Sequence, residues 1–292
     1  MSSFRERYDD YAEEFNKVLN NFCTDFYCEP KILADSLVYS LQIGGKRVRP
    51  VMMFAAADLL GVERGKVISF ALALELIHTY SLIHDDLPEM DNDDFRRGKP
   101  SNHKIFGAGN AVLAGDGLLN TAHAILLGAC RAGAEYVSAA EEINQSAGIY
   151  GMIAGQSADL LHEKDGECNE EILGFIYRNK TAKMLTAPLL VPSILAGGKY
   201  YSELKLFGEN FGCLFQLTDD ILDVEGSFDL LGKSIGKDSE VGKCTAIKLF
   251  GLDGAKLRAN MLYDKCIKIL EGIEGDTEFF KQLVHFLLTR KS

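Results

Sequence analysis

The sequence predicts an all-α fold: one helical bundle, a single domain over residues 1–292. Long runs of Ala, Leu, Glu and Lys dominate the chain, while the alternating patterns of strands are scarce. Linkers rich in Gly-Ser or Pro are absent, and the six prolines all fall before position 193. At 47% hydrophobic, 292 residues can bury one sizeable core. About ten helices are expected.

Residues 4–22 read as a first amphipathic helix and 30–42 as a second, stopped by Gly44-Gly45. The tract GGKRVRP then sets Lys46, Arg47 and Arg49 before Pro50, which suits the start of a helix at 51–60. A glycine turn feeding a helix N-terminus beside cations suits an anion. Taken alone it is a weak signal, and a solvated basic turn is the commoner reading. Residues 66–86 form the strongest helix, with His78 two turns before Asp85 on nearly the same face. A lone histidine there is as readily a core residue as a ligand.

That helix ends in the acidic cluster Asp85-Asp86-Leu-Pro-Glu-Met-Asp91. Pro88 disfavours helix at Leu87, so the helix stops near Asp86 and Asp91 must fold back from a turn. The polar loop from Asp91 to Lys104 follows, with Arg96 and Arg97 beside the cluster. Small residues recur over 107–133 and again in GIYGMIAGQSADL at 148–160, as in closely packed helices. Gln156 and Asp159, polar in so apolar a run, need partners and suit the lining of a shared cavity.

After a polar loop from Glu163 to Glu171, a helix at 170–186 presents Lys180-Thr181. The apolar run ENFGCLFQLT, which includes Phe215-Gln216, leads into a second cluster, Asp219-Asp220-Ile-Leu-Asp223. Asp219 and Asp223 share one helix face. Lys233, Lys237 and Lys243 come next, and a helix over 277–292 closes the chain.

Carboxylates at the ends of core helices are costly to desolvate unless a cation or a hydrogen-bond network compensates. Two facing clusters offer hard oxygen ligands suited to Mg²⁺ on a polyphosphate. One cluster alone would read as a charged helix end in solvent; two, each followed by basic residues, do not. Mg²⁺ would neutralise charge gathering on a departing diphosphate, and an apolar cavity would shield a carbocation that Thr181 and Gln216 could stabilise. The chain has no GxxxxGK[ST] phosphate loop, which excludes P-loop phosphoryl transfer.

The net charge of −11 argues against nucleic acid as a partner. Seven cysteines, none in CxxC spacing, indicate neither a disulfide framework nor a zinc site, and reduced cytosolic thiols are expected. The charged N-terminus lacks an apolar signal core, and no uncharged apolar run reaches the length of a membrane span. A cytoplasmic protein is the expectation.

The blocks GGKRVRP, LELIHTYSLIHDDLPEMDNDDFRRGKPSNHK, GQSADL, KT and FQLTDDILD, in this order over about residues 40–245, resemble the trans-polyprenyl diphosphate synthases. The similarity is closest to the bacterial farnesyl/geranylgeranyl type, with two extra residues in the first aspartate motif. The resemblance implies an all-α bundle around a deep central cavity, usually a homodimer, condensing isopentenyl diphosphate with an allylic diphosphate. It implies that Asp85, Asp86, Asp91 and Asp219, supported by Asp220 and Asp223, hold three Mg²⁺ ions. Arg96, Lys180 and Lys233 would contact the allylic diphosphate. Lys46, Arg49, His78 and Arg97 would bind isopentenyl diphosphate, and Thr181 and Gln216 would face the allylic cation. Lys237 and Lys243 also match basic positions of the family.

Asn179 and Ala182 depart from the family pattern, in which histidine and glycine are common there. A catalytically silent partner subunit would be expected to lose aspartates or cations, and none is lost. A terpene cyclase would not need the second diphosphate pocket. Tyr80, five residues before Asp85, and the small Ser81 lie where the family sets product length. Five helical residues span about 7.5 Å, and an aromatic side chain there implies a C15 product, with C20 as the alternative.

Overall fold

The computed structural model describes residues 3–225 and 243–290. Among these residues the fold is helical apart from one two-stranded ribbon. The chain opens with α1 (Phe4–Asp25), fixed at its start by a capping box in which Ser3 and Glu6 satisfy each other's backbone amides. Helices α2 (Lys31–Gln42) and α3 (Val48–Leu60) follow. The third runs into the core with nine buried positions and ends on Gly61, whose φ of 72° is the left-handed cap that glycine supplies.

Helix α4 (Ile68–Asp85) is buried nearly all round and packs along α6 (Ala108–Ala129). The two approach closely because Gly115 has no side chain: a Cβ there would lie 2.1 Å from Nε2 of His84. Between them the chain forms the ribbon β1 (Phe95–Arg96) and β2 (Lys99–Pro100), then the short α5 (Asn102–Phe106). Arg97 and Gly98, with φ of 53° and 74°, make the two-residue turn of this ribbon.

Helices α7 (Ala134–Ala147) and α8 (Met152–Asp165) lead to α9 (Glu170–Ile176), a π-helical turn (Tyr177–Ala182) and α10 (Lys183–Leu195). The helix expected over 170–186 is therefore broken into two registers, and it continues through Pro188 and Pro192. Residues 184–193 are all buried, so packing against α3, α7 and α11 offsets the two missing amide donors. Helix α11 (Tyr201–Glu225) carries the second acidic cluster. The long α12 (Ala246–Glu271), kinked at Gly251, and α13 (Glu278–Thr289) complete the bundle.

One stretch, Ala108–Ala132, is long and apolar enough to cross a membrane by length and composition, with a mean hydropathy of 1.3. Here it packs on α4 and α2 within the bundle. The expectation of reduced thiols needs correction. Cys168 and Cys244 form a disulfide across 76 positions of sequence, while Cys23, Cys28, Cys130, Cys213 and Cys266 are free. Folding brings the loop before α9 against the strand-like entry to α12, a proximity that cysteine spacing does not carry.

Candidate active site

Helices α3, α4, α6, α8 and α11, with the π-helical turn, surround a cavity of about 1130 Å³. The first acidic cluster reaches it as the sequence required. Helix α4 ends at Asp85, with Asp86 as its cap, and the turn after Pro88 reverses the chain so that the Asp91 amide donates to the Asp85 carbonyl at 2.9 Å. Asp85 and Asp91 line the cavity; Asp86 is not among its lining residues. Its carboxylate is nearly fully buried and held instead by Arg96, whose Nε donates to Oδ1 at 2.9 Å.

From the opposite wall, Asp219 and Asp220 of α11 line the cavity, whereas Asp223, one turn further on, is buried outside it. Asp220 accepts from Tyr177 Oη and, at 2.7 Å, from the Ala246 amide, so it also fastens the start of α12. Asp219 accepts from Arg290 at 2.5 Å. Lys243, at the near end of the second described segment, donates to Asp91 at 2.9 Å. Lys233 and Lys237 lie outside the described residues.

Charge and burial act on these carboxyls in opposite directions. Burial pushes Asp85 up to about 6; Lys180 pulls the other way, while Asp91 and Asp86 add to the rise. Burial also opposes ionisation of Asp91, but Lys243 and Lys180 outweigh it and hold that carboxyl below its ordinary value. A buried acid crowded by acids is a site that favours a cation.

The π-helical turn sets Lys180 and Thr181 toward the cavity. It is braced by two glycines: a Cβ on Gly155 would meet the Lys180 backbone at 2.1 Å, and one on Gly212 would meet Ala182 at 2.3 Å. Gly212 thereby makes room for the side chain of Ala182. Lys180 donates to Asp159 at 2.5 Å, and despite its burial the charges of Asp159, Asp85 and Asp91 hold its ammonium above the usual range. Thr181 donates to Gln216 at 2.9 Å, and Gln216 to Asp220 at 3.3 Å. Both amide atoms of Gln156 are buried at the cavity wall without a protein partner. Asn179 is not on the wall; it donates to the Phe175 carbonyl of its own helix.

At the cavity's other side stand Lys46, Arg49, His78 and Arg97. Burial, then the charges of Arg49, Arg97, Arg96 and Arg47, push the His78 imidazole well below its ordinary value, so it is neutral. Burial lowers Arg49 to about 10 and also lowers Lys46 and Arg97. Three cations and a neutral imidazole gathered on one half-buried wall make a receptor for an anion. Arg97 lies directly over Gly45, where a Cβ would be 2.3 Å from its Nη1.

Sequence reasoning did not single out Glu75. This carboxylate, 2% exposed and three residues before His78, pairs with Arg47 at 2.8 Å. Its signal was present as the one acid inside the apolar run of α4. Tyr80 is 6% exposed and lines the cavity beside Ser81, whose hydroxyl donates to the His78 carbonyl.

A helical bundle that brings two acidic helix ends over one cavity, with a separate basic wall, defines an all-α synthase of the isoprenoid type. A model of the family described as Polyprenyl synthetase matches residues 30–282, and the chain belongs to that family of prenyltransferases. It is 39% identical to a farnesyl diphosphate synthase of Haemophilus influenzae over the full length of both chains. It is 45% identical to a chloroplastic geranylgeranyl pyrophosphate synthase of Capsicum annuum, over 85% of this chain and 68% of the relative. Among solved structures, a geranyltransferase of Helicobacter pylori complexed with magnesium and isoprenyl diphosphate superposes with a TM-score of 0.86. That pair is 30% identical, with 99% of this chain and 97% of the other covered.

Proposed function

We propose that the chain is a farnesyl diphosphate synthase, condensing isopentenyl diphosphate with dimethylallyl and then geranyl diphosphate and stopping at C15. The observation that carries the product length is Tyr80, a buried ring on the cavity wall five residues below Asp85. A geranylgeranyl (C20) product is the second reading, favoured by the similarity to the Capsicum annuum enzyme.

Asp85, Asp91, Asp219 and Asp220, with Asp86 and Asp223 behind them, supply the hard oxygen donors that suit Mg²⁺, three ions in this reading. When bound, the ions supply charge neutralisation on the allylic diphosphate as it leaves. The chain's own groups do the rest. Lys180 and Arg96, with Lys233 from outside the described residues, bind that diphosphate. Lys46, Arg49, neutral His78 and Arg97 hold isopentenyl diphosphate at the basic wall. The hydroxyl of Thr181 and the amide of Gln216, tied to each other, set oxygen atoms against the allylic cation. Apolar walls from α4, α8 and α11 exclude water while the isopentenyl double bond attacks and a proton returns to the departed diphosphate.

One catalytic domain and a homodimer belong to the same proposal. Leu113, Leu127, Ile149, Tyr150 and Ile153 expose an apolar surface along α6 to α8 of the kind that a second copy covers. The test is direct. Supplied with isopentenyl and dimethylallyl diphosphates and Mg²⁺, the protein should release mainly C15 by chromatography of the dephosphorylated products. Asp219→Ala should lose more than the roughly 10²–10³-fold typical of one hydrogen-bond donor. Mainly C20 release would select the second reading; consumption of neither substrate would reject both.

A further inference from the structure

Arg290 lies 71 positions from Asp219 in sequence, at the end of α13, yet its side chain is 5% exposed and packed against the second acidic cluster. One nitrogen, Nη2, donates to three acceptors: Asp219 Oδ1 at 2.5 Å, Thr218 Oγ1 at 2.9 Å and the Phe215 carbonyl at 3.2 Å. The guanidinium also lies over the Phe215 ring, 4.6 Å from its centroid. Two of the three acceptors and the ring are independent of Asp219, so the arginine keeps its seat whatever Asp219 binds. It grips Asp219 through Oδ1 and leaves Oδ2 for another partner.

We propose that Arg290 is a positioning residue for metal binding: it fixes the Asp219 carboxylate so that one oxygen is presented to the cavity. This rests on the reading of Asp219 as a metal ligand. A carboxylate that is free to rotate must be ordered when it binds a cation; one already held by a planar, stacked guanidinium is ordered in advance. The grip also links the last turn of the chain to the occupancy of the cavity, because α13 delivers Arg290 while packing on α11, α12 and α1.

The experiment is calorimetric titration of Mg²⁺ into the full-length protein with inorganic diphosphate present, alongside thermal melting. Arg290→Ala should weaken Mg²⁺ binding roughly 10-fold or more, the usual effect of losing a group that orients a metal ligand. Loss of this buried side chain should lower the melting temperature while leaving one cooperative transition, and Mg²⁺ binding is read well below it. Arg290→Lys should recover only part of the affinity, because an ammonium cannot stack on Phe215 and serve all three acceptors in the same way. Unchanged or tighter Mg²⁺ binding in Arg290→Ala would overturn the proposal, tighter binding meaning that the arginine competes with the metal. If Asp219→Ala binds Mg²⁺ as wild type does, the metal-ligand reading itself falls and takes the proposal with it. A loss in Asp219→Ala without one in Arg290→Ala would sink the positioning role alone.

Discussion

Arg47 donates to Glu75 at 2.8 Å with both side chains at 5% exposure or less, so one of the three cations in GGKRVRP is a strut and not a ligand. Its other nitrogens bind Asn16 Oδ1 and the Leu41 carbonyl, and its backbone adopts φ of 51° at the entry to α3. All three bonds serve to fix the turn from which Lys46 and Arg49 face the cavity.

Removing one partner of a buried, fully bonded ion pair leaves the other charge uncompensated. Arg47→Ala should therefore lose roughly 3–5 kcal/mol of stability in urea unfolding. Lys46→Ala, whose side chain is exposed, should stay within about 1 kcal/mol. Equal losses in the two variants would mean that Arg47 is no strut.

The basic wall gives a second expectation. Arg97 occupies the space over Gly45, and Gly45 itself has φ of 140°, so a side chain at this position both displaces the guanidinium and strains the turn. Gly45→Ala should raise KM for isopentenyl diphosphate in the same direction as Arg97→Ala, with less effect on the allylic substrate. Loss of ground-state binding shows mainly in KM. Initial rates with each substrate varied in turn decide it; equal rises for both substrates would show that the two pockets are not separate.

The Cys168–Cys244 disulfide closes a long loop and fastens the segment whose next residues hold both acidic clusters, through Lys243 to Asp91 and the Ala246 amide to Asp220. Reduction, or Cys168→Ser, should lower stability by up to about 4 kcal/mol and weaken turnover before the protein unfolds. Thiol titration under denaturing conditions should find five free thiols in the oxidised protein, matching the free cysteines. Seven thiols without reductant would refute the bond.

What the sequence made legible was local. The end of α4 near Asp86 and the reversal that returns Asp91 follow from proline chemistry and helical periodicity, whereas the shared placement of Lys180, Thr181 and Gln216 is implied by the family resemblance. What it hid was long-range or a matter of register. Lys46, Arg47 and Arg49 are equivalent as letters, and only the depth of Glu75 separates the strut from the other two. The π-helical turn at Tyr177–Ala182 leaves no mark in apolar spacing, yet it decides which way Lys180 and Thr181 point. Nothing in the local sequence ties Arg290, at the end of the last helix, to Asp219 71 positions away.

Product length is the sharpest expectation that remains. The Tyr80 ring packs edge-on against His84, with centroids 5.7 Å apart, and His84 in turn lies over Gly115 of α6 and bonds the Val112 carbonyl. The ring is thus braced from the Asp85 side by a residue that is itself held in place, and its hydroxyl, pushed up to about 12 by burial and then by Asp85, stays protonated at any working pH. Such a wall yields to a growing chain only if the ring is removed. Tyr80→Ala should open space for one further isoprene unit and shift the main product from C15 toward C20, with the rate for the first condensation within a few fold of wild type. The cost in stability should be about 3–5 kcal/mol if the cavity stays empty, and less where solvent already reaches it. Chromatography of the products is the check. A Tyr80→Ala protein that still stops at C15 would assign the stop to another part of the wall, and a wild type already releasing C20 would remove Tyr80 from that role altogether.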